Sequence, residues 1–104
     1  MKDTSKEIIK LIGEHYAPLG LTVDVIKTSI PATFGESKYV IKVGDKTLGA
    51  YFKDTTFYDM WCAGVFKELN DEERTTAIVG EVVGMVVYEI NRELELDSCE
   101  NGNR

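Results

Sequence analysis

The run TAIVGEVVGMVVYEI, from Thr76 to Ile90, leaves this chain the fewest choices of fold. A membrane span needs about 20 predominantly apolar residues, and Glu81 and Glu89 interrupt this run. Its Val and Ile content favours a strand. That strand would be unusually long, however, and would put Glu81 and Glu89 on one face with Val79, Val83, Met85 and Val87. On a helical wheel the same residues sort better. Ile78, Val79, Val82, Val83, Val86, Val87, Ile90 and Leu94 cover one half-circle, Glu81 and Arg92 face away, and Gly80, Gly84 and Ala77 lie beside the apolar half. Glu89 and Glu93 fall inside the edge of the arc, so the stripe narrows towards the C-terminus. Asn70 precedes Asp71, Glu72 and Glu73, which sets a good N-cap residue before three acids where the helix dipole favours negative charge. The run is read as a helix.

The elements before it follow from local signals. Thr4 with Glu7 three residues later has the form of a capping box, and Ile8, Leu11, Ile12, His15 and Tyr16 then recur at helical spacing until Pro18 and Gly20. Leu21 to Ile30 is rich in Val, Thr and Ile and reads as a strand, and Pro31 to Ser37 as a loop. Ser37 to Val43 and Lys46 to Lys53 form two strands joined by Gly44-Asp45, a primed hairpin turn with Gly first. Counting back from the turn pairs Val43 with Lys46, Ile41 with Leu48 and Tyr39 with Ala50. One face then carries Tyr39, Ile41, Leu48, Ala50 and Phe52, and the other Lys38, Val40, Lys42, Thr47, Tyr51 and Lys53. A second helix starts at Thr56 with Asp59 three residues on, and Phe57, Met60, Trp61, Val65 and Leu69 supply its stripe. Gly64 inside it costs about 1 kcal/mol against alanine, which predicts close packing there or a local weakness.

The expected fold is α+β in the order αβββαα, a three-stranded antiparallel sheet with helices on one face. Residues 1–96 make a single domain, and 97–104 a flexible polar tail.

Charge separates along the chain. Met1 to Lys53 holds eight lysines against six acids, whereas Asp54 to Arg104 holds twelve acids against four bases. An acidic half repels nucleic acid, so Lys38, Lys42 and Lys53 around Tyr51 and Val40 read as a snorkelling lysine surface rather than a base-stacking platform. No membrane partner is expected. Cys62 and Cys99 form no CxxC pair and no zinc spacing, which suits a reducing, cytoplasmic setting. Cys62 reads as a small buried hydrophobe. The N-terminus has no apolar stretch of the kind a signal peptide needs.

Nothing in the chain forms a catalytic constellation. His15 completes a last helical turn, the carboxylate clusters lack the spacing of a calcium loop, and Gly44 to Gly49 lacks the residues of a phosphate loop. No cofactor or metal and no enzymatic activity are expected. Gly80 and Gly84 have the small-xxx-small spacing that lets helix backbones approach, either against another element of the fold or across a homodimer seam. Phe34, between Pro31 and Gly35, is either a protein-binding anchor on a loop or a cap over the core. In element order the chain resembles two groups, small acidic anti-CRISPR inhibitors and type III secretion chaperones. The first resemblance implies that Glu68, Asp71, Glu72 and Glu73 face a basic groove on a partner protein. The leading expectation is therefore a non-catalytic, acidic protein-binding module, an inhibitor or adaptor. The alternative is a structural or assembly protein of a phage or mobile element, dimerising through the Gly80/Gly84 helix.

Overall fold

The computed structural model describes residues 4–29 and 37–98. They form α1 (Ser5–Tyr16), a 3-10 turn (Ala17–Leu19), β1 (Val23–Ser29), β2 (Ser37–Val43), β3 (Lys46–Lys53), α2 (Thr56–Cys62) and α3 (Asp71–Ser98). The strands make one antiparallel sheet in the order β1-β2-β3, and the expected αβββαα arrangement holds. The Thr76–Ile90 run lies within α3. Its Ile78, Val79, Val82, Val86 and Ile90 are buried, while Val83, Val87 and Leu94 pack half-buried against the same core. α3 continues through Ser98, two residues beyond residue 96.

The core sits between the helices and one sheet face. Ile8, Ile12 and Tyr16 of α1 and the α3 stripe close over Tyr39, Ile41, Val43, Leu48, Ala50 and Phe52. Alternate residues are buried from Tyr39 to Val43 and from Leu48 to Phe52, and those between them are half-buried on β2 and exposed on β3. α1 packs on α3 and β1, and α3 also packs on β3, so the two helices divide the sheet between them. The Tyr16 hydroxyl, buried under α3, donates to Asn91 Oδ1 at 2.7 Å, and its burial raises its pKa above the ordinary tyrosine value.

Four local expectations need correction. Thr4 forms no side-chain cap and is itself buried. Its backbone is already helical (φ −92°, ψ −8°), unlike the extended geometry from which a capping hydroxyl usually bonds, and only its carbonyl accepts, from Ile8 N–H at 3.0 Å. The hairpin begins as expected at Val43 and Lys46, with Gly44 at φ +61°, but between Val40 and Lys42 the register shifts. Tyr39 opposes Phe52 rather than Ala50, and their rings stack at 4.9 Å. Lys42 opposes Thr47 and Val40 opposes Tyr51, so β3 gains two residues; an even shift keeps every side chain on its face.

The third correction concerns the second helix, which stops at Cys62. Its N-cap is Thr55 without a side-chain bond, and the Thr56 hydroxyl instead accepts from Lys53 N–H at 3.0 Å. Gly64 (φ +84°) and Phe66 (φ +54°) are left-handed, so the chain between Cys62 and Asn70 turns rather than continuing a helix. Of the two readings of Gly64, local weakness is the one observed. Lastly, Cys62 is exposed rather than buried, because the short helix commits only Phe57 fully to the core.

Candidate functional site

α3 opens with a working cap. Asn70 Oδ1 accepts from Glu73 N–H at 2.8 Å, which satisfies a donor that the first turn leaves unpaired. Glu68, Asp71, Glu72 and Glu73 are all exposed and gather at this end of the helix. Two bases flank them in sequence, the exposed Lys67 beside Glu68 and Arg74 after Glu73, and Arg74 is engaged elsewhere. Its Nε donates to Val65 O at 2.9 Å, its Nη2 to Trp61 O at 2.7 Å, and its guanidinium lies 4.1 Å from the centre of the Trp61 ring. The arginine holds the turn between α2 and α3 while the carboxylates project into solvent.

Further along α3, Gly80 and Gly84 are exposed, and a methyl group added at either would meet nothing within 4 Å. Packing of these glycines against another element of the fold is thereby overturned for the described residues. The apolar stripe turns the opposite side of α3 towards the sheet, and with the core centred on Val82 both glycines fall on the outer side. They leave a surface hollow of about 400 Å³ bounded by Glu81, Met85, Tyr88 and Glu89. Met85 is 53% and Tyr88 66% exposed, high values for large apolar side chains. The hollow begins about two turns, or about 10 Å, beyond the acidic turn, on the same helix. Beside it, on the far side of Met85 and Glu89, a groove of about 220 Å³ runs between α3 and β3 past Phe52, Val82 and Val86.

Sequence reasoning placed the acids and the glycines but did not join them into one surface. It passed over Tyr88, which stands one turn beyond Gly84; the i, i+4 spacing was the available signal. Arg74's engagement had no such signal, since it depends on the non-helical path from Ala63 to Leu69. Phe34 lies outside the described residues.

The remaining candidates take ordinary places. His15 is exposed in the last turn of α1, edge-on to Tyr16 at 4.8 Å between ring centres. Hydrogen bonding to the neighbouring Cys62 and the negative charge of its thiolate form raise the pKa of the Tyr58 phenol above the ordinary tyrosine value. On the open sheet face the Lys38 ammonium covers the Tyr51 ring at 4.1 Å, so that ring face is already stacked. Among the described residues no cluster of His, Cys, Asp and Glu could hold a metal ion, and no helix is long and apolar enough to cross a membrane. Compared with known proteins, the chain matches no family model, no curated protein and no solved structure.

Proposed function

We propose that the protein is a non-catalytic binding module whose outer α3 surface docks a basic segment of another protein. The observation that carries this reading is an exposed acidic first turn and an apolar hollow on one helix, with Glu73 on the side of the hollow. Asp71, Glu72, Glu73, Glu81, Glu89 and Glu95 are exposed along α3, and against them the helix sets only Arg74, engaged with Trp61, and Arg92, 3.7 Å from Glu89. Such a surface steers a cationic partner in the encounter. The hollow at Gly80 and Gly84 then lets a partner backbone approach closely, with Tyr88 and Met85 as the anchoring side chains. Two mid-helix glycines cost roughly 1 kcal/mol each relative to alanine, and no described contact at either position needs a residue that small. A docked partner would.

The same charge pattern weighs against the alternative, a homodimer seam through this face. Two copies joined at Gly80 and Gly84 would bring Glu81 and its neighbours against carboxylates, and like charges held together cost stability. An inhibitor or adaptor acting on a basic protein surface fits better than a self-paired structural subunit. The test is capture from native lysate, with retained proteins identified by mass. Charge reversal at Asp71, Glu72 and Glu73 is expected to remove a basic partner and to steepen no other binding. Gly84→Leu fills the hollow and is expected to remove the same partner while leaving the helix content unchanged. A partner retained by both variants would sink the proposal.

A further inference from the structure

The two edges of the sheet differ in how their outward backbone groups are used. Gly44 N–H donates to Thr22 O at 2.9 Å, and these residues lie directly opposite in the β1–β2 register. In an antiparallel ladder such bonded pairs alternate with unbonded ones. Asp24, Ile26 and Thr28 therefore bond to β2, and Val23, Val25 and Lys27 turn their N–H and C=O groups away from the sheet. On the other side Asp54 N–H donates to Ser37 O at 3.0 Å, so the outward set on β3 includes Tyr51 and Lys53. Side chains cap that edge at two points: Glu93 Oε1 accepts from Gly49 N–H and the Thr56 hydroxyl from Lys53 N–H, both at 3.0 Å. Among the described residues, nothing bonds the outward groups of Val23, Val25 and Lys27.

From this asymmetry we infer that β1 is the seam of a two-fold homodimer, in which the β1 strands of two copies pair antiparallel and join two sheets into one. β1 is its own complement. A two-fold axis at Val25 sets Val25 against Val25, Val23 against Lys27 and Asp24 against Ile26, so no charge directly opposes its like and the outward groups of Val23, Val25 and Lys27 all find partners. Lys27 is the residue type that guards an exposed edge, but its ammonium lies 5.8 Å from the centre of its own Tyr39 ring, drawn inward over the sheet. Ile26 is 44% exposed on the open sheet face, in one cross-strand row with Val40 and Tyr51, and the pairing covers its outer side with the Asp24 position of the second copy.

Electrostatics selects a second copy at this edge. Six exposed acids, Asp71, Glu72, Glu73, Glu81, Glu89 and Glu95, lie along α3, which packs on β3, whereas α1, which packs on β1, balances its exposed Glu7 and Glu14 with exposed Lys6 and Lys10. Joining at β1 keeps the two acidic helices at opposite ends of the extended sheet, where screening beyond about 10 Å removes their repulsion. The outer face of α3 stays free in this dimer.

Sedimentation velocity of the full chain across micromolar to millimolar concentration tests the proposal. The expected result is reversible doubling of the 11.7 kDa mass. Val25→Pro removes an N–H that faces away from β2, so the intrachain ladder persists, and it is expected to weaken the dimer by about tenfold or more. Hydrogen exchange on the unaltered protein gives a second measure, independent of how the proline variant folds. The amides of Val25 and Lys27 should slow about tenfold or more as concentration rises past the dissociation constant, while that of Tyr51 does not. A chain that stays monomeric throughout, a dimer whose Val25 and Lys27 amides are indifferent to concentration, or a dimer dispersed by Gly84→Leu would each overturn it. A monomeric chain or indifferent amides would leave the α3 reading untouched, whereas dispersal by Gly84→Leu would count against both; the capture experiment reads binding at α3 separately.

Discussion

Glycine interrupts two apolar runs in this chain, and the outcomes are opposite. At Gly64 the helix has already ended and the backbone is left-handed; at Gly80 and Gly84 the helix continues unbroken. The difference lies in what holds the flanking turns. Each turn from Ile78 to Ile90 presses at least one side chain into the core, so tertiary packing absorbs the cost of the glycines. Beyond Phe57, the residues expected to form a stripe, Met60, Trp61 and Val65, are only half-buried. There Arg74 reaches back to accepting carbonyls at Trp61 and Val65, rewarding the chain for turning. A glycine ends a helix where the alternative path is better bonded.

The largest effect that would break this comparison is loss of the α3 anchor. Ile78, fully buried, should destabilise the fold by about 2–5 kcal/mol as Ile78→Ala, read by urea unfolding. Arg74→Ala comes next, at about 2 kcal/mol, from two charge-assisted bonds to partly buried carbonyls. Trp61 fluorescence should change with it, and an unaltered emission spectrum would deny the stacking. Gly64→Ala should cost about 1 kcal/mol, because a β-carbon is strained at φ +84°. Gly80→Ala and Gly84→Ala should each go the other way and raise stability by about 0.5–1 kcal/mol, since the backbone is helical and the space open. Thermal melts of these single variants sharpen the contrast, and a destabilising Gly84→Ala would end it.

The same contrast explains what the sequence could tell. α3 was legible because its period, its Asn70 cap and its buried stripe all agree. The face of each hairpin residue was legible too, since parity survives the two-residue shift, although the pairing of Tyr39 with Phe52 did not follow from counting. The end of α2 was not legible. Val65 and Leu69 continue a helical spacing on paper, and only the competing bonds of Arg74, made across the fold, decide against it. For the candidate surface, the acids and the glycine spacing could be read directly. Whether the glycines faced inward or outward could not, because the wheel put them at the margin of the apolar arc and the packing of the sheet set the boundary.

Glu93 carries a consequence for the order in which the protein is made. Its carboxylate, 44 residues along the chain from Gly49, occupies an outward N–H of the β3 edge and so hinders a stray strand from pairing there. A ribosome delivers that carboxylate after every strand has already emerged. We therefore expect nascent chains halted before Glu93 to expose an unguarded border and to aggregate more than chains released past it, a difference that sedimentation of stalled translation products would measure.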